Sequence, residues 1–346
     1  MLSLSNKKWR MLQPSQLMVG ALVKDLNISP LVALLLVNRK ITSPDDARYF
    51  IASDLADLPN PFLMMGMQKA VDRIVCAIGA GESITVFGDY DVDGVTAASF
   101  LVHFFRNLAI PFSYYLPSRM EEGYGLNVEA LRKIRAGGST LVITADCGIT
   151  AVQEVKAAKE IGLDVIVTDH HQVGEEGLPD SVAVLNPHQP GCAYPFRYLS
   201  GVGIVFKLAT AIRTALFNAG WEKSRLPNLK QHLDLFALGT IADVAPLTGE
   251  NHVLTSHGLK QMSKTSKPGL VALKAVTGLN GAIDARSIAF TLGPRLNAAG
   301  RLGRADACLH LLTSTDLEEA KKIARSLDDI NQERQEIQKW TQEEAE

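Results

Sequence analysis

Three aspartates, Asp89, Asp91 and Asp93, stand on alternating positions between an apolar run, Ile84-Thr85-Val86-Phe87, and Gly94. Carboxylates this close repel one another unless a cation sits among them. Further along, Asp146 precedes Cys147-Gly148, Asp169 precedes His170-His171, and Asp243 follows Gly239-Thr240-Ile241-Ala242. Carboxylate and imidazole donors without a thiolate suit Mn²⁺ or Mg²⁺ better than a structural zinc. The donors outnumber what one ion needs, so two ions sharing a bridging aspartate are expected. Such pairs sit roughly 3.5–4 Å apart and clamp a phosphoryl displacement by an activated water. An aspartate after a strand is also an ordinary helix cap, and Asp146 stays open to that reading. The adjacent histidines are the sharpest single feature. Neighbours at a strand end point different ways, so one is free to bind metal and the other to meet substrate.

Such groups must be delivered by the ends of regular elements. Apolar runs at 84–87, 112–116, 140–144, 164–168 and 182–185 alternate with helical patterns at 96–108, 127–135 and 151–161. That alternation predicts an α/β fold: a parallel, Rossmann-like, five-stranded sheet with helices on both faces. The acids then collect at the carboxyl edge of the sheet, where open α/β folds bind ligands. Ahead of it, Ser29-Pro30 and Ser43-Pro44 each set a capping hydroxyl before a proline at the first helical position. Residues 1–65 are therefore read as a helical N-terminal segment, with Pro59-Asn60-Pro61 as a linker, followed by a helix over 67–78. Residues 66–315 are assigned to the catalytic domain. Its later part holds an amphipathic helix at 204–218, another through 233–238, and a charged, glycine-punctuated region up to Arg304. From 316 to 346 the spacing of Ile323, Leu327, Ile330, Ile337 and Trp340 predicts the start of a long, exposed connector helix.

With 47% hydrophobic residues and a formal net charge of -2, the composition is globular and offers no global basic field, so nucleic acid would have to be met by local patches. The strongest patch is the stretch from Gly293 to Arg304, where Arg295, Arg301 and Arg304 lie in what reads as a glycine-loosened loop. Arginine grips phosphate bidentately, but a solvated loop is an equal reading. Arg119 lies in a loop with Tyr124, and Tyr115 or Tyr124 can stack on a base. The four cysteines, Cys76, Cys147, Cys192 and Cys308, form no CxxC pair, which argues for a reducing compartment. Cys147, beside Asp146, reads as a small packing residue. His103 reads as core or surface, and His232, His252, His257 and His310 show no ligand spacing. Residues 1–16 lack the apolar core of a signal peptide, and the apolar run at 31–37 is far too short for a bilayer. A cytoplasmic protein with no membrane partner is expected.

The order of these motifs resembles the DHH phosphoesterase superfamily, whose third motif is matched by Asp169-His170-His171. Within it, Glu122-Gly123-Tyr124-Gly125-Leu126, Leu199-Ser200-Gly201-Val202-Gly203 and Pro294-Arg295-Leu296-Asn297-Ala298-Ala299-Gly300-Arg301 are similar to the RecJ family of bacterial single-strand-specific exonucleases. The similarity runs from about Pro59 to the C-terminal helix. It implies 5′→3′ hydrolysis of single-stranded DNA with Mn²⁺ or Mg²⁺, in repair and recombination. It also implies a single-strand-binding protein and a RecQ-type helicase as partners. By the resemblance, Asp89, Asp91, Asp93, Asp146, His170 and Asp243 fall on metal-binding positions. His171 falls on the position that meets the scissile phosphate, and the catalytic set is His171, Asp89 and Asp169. Arg119, Asn297 and Arg304 fall on nucleotide-contacting positions, with Arg301 beside them. Two departures stand out: Phe87 occupies a place where many superfamily members have histidine, and the family's DHHA1 domain and OB-fold are expected to lie outside this chain. The competing readings are a phosphodiesterase for short oligonucleotides or cyclic dinucleotides, a pyrophosphatase, and a non-catalytic replication scaffold. The arginine cluster speaks against the first two and the intact acid set against the last.

Overall fold

The computed structural model describes residues 12–118, 122–123, 125–301 and 305–345. The chain divides into two compact units, Met1–Leu58 and Pro59–Glu346. In the first, three helices, α1 (Gln16–Leu26), α2 (Pro30–Asn38) and α3 (Pro44–Ala52), bury Leu22, Ala33, Leu36 and Ala47 between them. The capping signals act as the sequence predicts. Ser29 Oγ accepts the Val32 amide at 3.3 Å and Ser43 Oγ the Asp46 amide at 3.0 Å, with proline at the first position of each helix.

The second unit is built on five parallel strands in the order β2-β1-β3-β4-β5. They are β1 (Ile84–Gly88), β2 (Phe112–Tyr115), β3 (Leu141–Ala145), β4 (Asp164–Thr168) and β5 (Ala183–Leu185). Every β1 and β3 residue is buried, which is why these strands read as unbroken apolar runs without alternation. One face carries α6 (Val128–Ala136) and α7 (Val152–Glu160), whose Leu131, Ile134 and Val155 meet Phe87, Val142 and Val165. On the other lie α4 (Met67–Ala80), α5 (Val92–Leu108) and α8 (Gly201–Asn218). The chain runs from β1 outward to β2, then returns past β1 to β3. The sheet's topological switch point, where ligands bind in this strand order, therefore lies between the ends of β1 and β3.

The region up to Arg304, expected as glycine-punctuated and loose, is helical where described. It comprises α9 (Leu233–Ala242), α10 (Gly249–Ser263), α11 (Pro268–Val276), the short α12 (Ala285–Ser287), α13 (Gly293–Arg301) and α14 (Ala305–Thr313). Between α12 and α13, Ile288–Leu292 makes a π-helical turn. The glycines mislead because they serve packing. A Cβ on Gly258 would lie 2.2 Å from the Leu233 carbonyl oxygen, and one on Gly269 would lie 1.7 Å from that of Leu311. They are the points where helices touch backbone to backbone, not loop markers.

The last helix, α15 (Leu317–Ala345), is only partly the exposed rod expected. Ala320, Ala324, Leu327 and Ile330 are buried against the helices around α11 and α13, and Arg295 Nε pairs with Asp328 Oδ1 at 2.7 Å. Beyond Asn331 the helix is largely exposed, Ile337 and Trp340 included. Among the described residues only α8 is long and apolar enough to cross a membrane, and two-thirds of it is buried inside the protein. It carries Lys207, 1% exposed, whose ammonium pairs with Glu250 of α10 and donates to the Pro59 carbonyl at 3.1 Å. Tyr194 Oη completes this buried cluster by donating to Glu250 Oε1 at 2.7 Å.

Another buried polar group has a measurable consequence. His232 is 4% exposed, stacks on His103 at 5.1 Å, and has no hydrogen bond on either ring nitrogen. Burial, then the charges of Lys267 and His103, push its pKa from 6.5 down to about 3. The unfolded chain thus takes up a proton near pH 6.5 that the folded chain refuses until about pH 3. Stability is whole above 6.5 and is lost as pH falls through that window, by up to on the order of 5 kcal/mol. His232→Leu is expected to flatten the acid limb of the thermal midpoint against pH. Identical limbs in the two proteins would refute it.

Candidate metal centre

The residues singled out in the sequence converge at the switch point. Asp89 follows β1, Asp146 follows β3, Asp169 to His171 follow β4, and Asp243 caps the carboxyl end of α9. Ligand atoms of Asp89, Asp91 and Asp146 all lie within 4.8 Å of one another, as do those of Asp93, His170 and Asp243, and those of Asp146, His170 and His171. His170 Nε2 stands 3.2 Å from Asp146 Oδ1, 3.8 Å from Asp243 Oδ2 and 3.9 Å from Asp93 Oδ2. Asp89 Oδ1, Asp146 Oδ1 and His170 Nε2 are buried without hydrogen-bond partners. Buried polar atoms are rarely left so. Three such atoms, delivered by three strand ends to groups that meet at Asp146, fit a cation cradle, and the oxygen and nitrogen donors fit Mn²⁺ or Mg²⁺.

Backbone close to these acids requires glycine. A Cβ on Gly94 would fall 2.5 Å from Asp89 Cβ, one on Gly201 2.4 Å from Asp146 Oδ1, and one on Gly239 2.7 Å from Asp93 Oδ1. Asp146 itself holds φ at 69°, a left-handed conformation that aspartate and asparagine adopt more often than other residues besides glycine. The helix expected from 96 begins four residues earlier because Asp91 is its cap, accepting the Gly94 amide at 3.0 Å. Asp93 therefore sits in the first turn of α5. Its carboxylate accepts the Gly201 and Val202 amides at 2.5 and 3.1 Å, docking the N-terminus of α8 on the site. Asp169 is equally committed: Oδ2 accepts the Ile149 amide, and Oδ1 accepts both the amide and Nδ1 of His171, the last at 2.7 Å. Its place is to orient His171.

The electrostatics state the same need. Burial first, then the charge of Asp91, pushes Asp89 up to about 7. Burial and neighbouring acids hold Asp93 and Asp146 well above the usual carboxylate range, and Asp243 rises to about 6. Burial and the charge of His171 push His170 down to about 4, leaving a neutral imidazole. His171 goes the other way, raised to about 9 by its hydrogen bond to Asp169. Burial alone would raise Asp169, but the hydrogen bonds from His171 and Ile149 hold it low. Bare, the site disfavours ionisation of Asp89, Asp93, Asp146 and Asp243, and a divalent cation would reverse that.

Of the expected substrate groups, Asn297 lies on α13, a helix where a loop was expected, and its Oδ1 accepts the Val92 amide at 3.3 Å. Gly300 lets that helix close on the Tyr90 carbonyl, which a Cβ there would approach to 2.3 Å. Arg295 is spent on Asp328 and the Thr291 carbonyl. Arg301 ends α13, its side chain outside the described residues, as are Arg119, Tyr124 and Arg304. Tyr115 is not free to meet a base: its ring stacks on Phe87 at 5.5 Å and its hydroxyl donates to Glu122 at 2.7 Å. Phe87 itself is fully buried in the core on the α6/α7 face. Asn186, which follows β5 and was not among the candidates read from the sequence, is fully buried there. It donates to the His171 carbonyl at 2.8 Å and accepts the His188 amide at 2.7 Å. Asparagine before proline at a strand end was the one available signal.

Residues 83–240 match the family described as the DHH family, N-terminal domain. The single-stranded-DNA-specific exonuclease RecJ of Bacillus subtilis (strain 168) is 45% identical over 98% of this chain and 42% of its own length. That of Escherichia coli (strain K12) is 40% identical over 82% of this chain and 50% of its own. The chain thus spans about half the length of the curated relatives it matches. Among solved structures, RecJ from Thermus thermophilus in complex with Mn²⁺ has a TM-score of 0.79 at 32% identity, covering 95% of this chain and 46% of that one. An exonuclease RecJ bound to manganese has a TM-score of 0.72 at 36% identity, covering 82% of this chain and 69% of that one. With likeness at that level along most of its length, and with the ordered acids and the histidine pair gathered at one sheet edge, this chain belongs to the RecJ family of DHH-domain proteins.

Proposed function

We propose that this chain carries the catalytic site of a single-stranded-DNA-specific exonuclease that hydrolyses phosphodiester bonds 5′→3′ with two Mn²⁺ or Mg²⁺ ions. The observation that carries it is the set of three ligand clusters, two of them joined through Asp146 and His170 of the third, whose Asp89, Asp146 and His170 include buried, unpartnered atoms. Asp89, Asp91 and Asp146 would hold one ion, and His170 and Asp243 the other, with Asp146 close enough to His170 to serve both. Asp93 lies in the second cluster while anchoring α8. When bound, such ions polarise a phosphodiester and make water acidic enough to attack it at neutral pH.

The chain's own residues do the rest. His171 is cationic at neutral pH, partly exposed, and donates Nδ1–H to Asp169. Its Nε2–H therefore points to the opposite side of the ring, placed to donate to a non-bridging phosphate oxygen and stabilise charge that grows there. Asn186 fixes the backbone of the same residue. Asn297 and Gly300 hold α13 against the acid loop at Val92 and Tyr90. Residues 66–315 would form the catalytic domain, with the helix from 316 leading onward. A cytoplasmic place in repair and recombination, beside a single-strand-binding protein and a RecQ-type helicase, follows from the family alone.

The test offers end-labelled single-stranded DNA, a dinucleotide and pyrophosphate in parallel with Mn²⁺. Single-stranded DNA is expected to be degraded fastest, with mononucleotides released from the 5′ end. Preference for the dinucleotide or for pyrophosphate would replace this reading by one of the smaller-substrate activities. No Mn²⁺ binding by calorimetry would leave a scaffold.

A further inference from the structure

Next to Asp243 the surface opens into an apolar groove of about 730 Å³, walled by Ile241, Val244, Ala245, Ala289, Phe290 and Arg286. Three unusual features meet in it. Val244, the chain neighbour of Asp243, is β-branched yet holds φ at 59° and is 86% exposed. A branched side chain in that conformation is an outlier of the kind that gathers at functional sites. Phe290 is an aromatic ring 76% exposed to solvent. It rides on the π-helical turn, where the Gly293 amide reaches back five residues to Ile288, and Pro294, with no amide hydrogen, offers the Phe290 carbonyl no α-helical donor. Such turns are also found frequently at functional sites.

The charge of the groove is as telling as its shape. Among the described residues that line it, Arg286 is the one charged group, and no carboxylate joins it. The smaller cavity beside Tyr114, about 270 Å³, is lined by Glu122 and Asp306 and would repel a phosphate. Any phosphodiester strand reacting at Asp243 and His170 has an adjoining nucleotide that must leave the acidic centre. Val244, covalently next to Asp243, is where the apolar groove starts.

We propose that this groove is a nucleobase subsite for the single strand. A base adjoining the scissile phosphodiester lies over Val244 and stacks on Phe290, while Arg286 meets the phosphate of the same nucleotide. Stacking on an aromatic ring tolerates any base, which suits an enzyme that must pass every sequence. The inference rests on the nuclease reading and adds to it the surface that holds the strand beyond the reacting phosphate.

Binding of a hydrolysis-resistant phosphorothioate oligothymidylate in Mn²⁺, followed by fluorescence anisotropy, tests it. Phe290→Ala is expected to weaken affinity at least about fivefold, the low end of what one base–aromatic stack provides. Phe290→Trp should restore it. Arg286→Gln should weaken binding and lower the slope of log affinity against log salt by about one phosphate contact. Both side chains are exposed, and a Mn²⁺ titration by calorimetry checks that each variant keeps the folded centre. If the unaltered chain binds the strand and Phe290→Ala binds it equally well, the subsite is refuted and the nuclease reading stands. If the unaltered chain binds Mn²⁺ but no strand, both fall.

Discussion

Asp146→Asn is expected to lower Mn²⁺-dependent cleavage by at least about 10³-fold, the upper end of what removing one preorganised electrostatic group costs. The same change should raise the thermal midpoint of the metal-free protein. Asp146 is 1% exposed, faces other acids and holds a left-handed backbone that asparagine, like aspartate, adopts more readily than most residues. Asparagine keeps the shape and removes the buried charge that burial and its neighbours disfavour. Gain of stability with loss of activity separates a functional group from a structural one, since a residue needed for folding would lose both. A cleavage assay and thermal melts in EDTA decide it. Retained cleavage would remove Asp146 from the ligand set.

Gly201→Ala should cost about 10²-fold in cleavage, although residue 201 carries no chemistry of its own. Its methyl would fall 2.4 Å from Asp146 Oδ1 and 2.5 Å from Asp146 Cβ. Either Asp146 leaves its position, or α8 retreats and its first two amides release Asp93. Both outcomes displace groups facing His170, so Mn²⁺ affinity by calorimetry should fall with activity. Gly79→Ala is the control. It lies inside α4 with open space where its Cβ would be, and should be neutral or slightly stabilising. Equal behaviour of the two variants would show that the approach of α8 to Asp146 is not critical.

Much of the scaffold was open to a reader of the sequence alone. The five strands, their order along the chain and the caps at Ser29 and Ser43 are each written in a few consecutive residues, because burial on both faces and helix capping act locally. The wrong expectations share a cause. Gly258, Gly269 and Gly300 looked like loop punctuation, yet each faces a backbone carbonyl of a segment remote in sequence, Leu233, Leu311 and Tyr90 respectively. Tyr115 looked available for stacking until Phe87 and Glu122 were found against it.

The candidate site divides along the same line. That Asp89, Asp146 and the Asp169-His170-His171 turn share one edge follows from the sequence, since parallel strands deliver all their carboxyl ends to one side. What else those acids hold was decided only in three dimensions. Asp93, a ligand candidate by type, also accepts amides 108 and 109 residues away, and Asp169 holds the Ile149 amide and the ring of its own neighbour His171. A carboxylate is the same group whether it binds a metal, caps a helix or aims an imidazole. Which of these it does depends on the donors that the folded chain brings within about 3 Å of its oxygens, the distance over which a hydrogen bond acts.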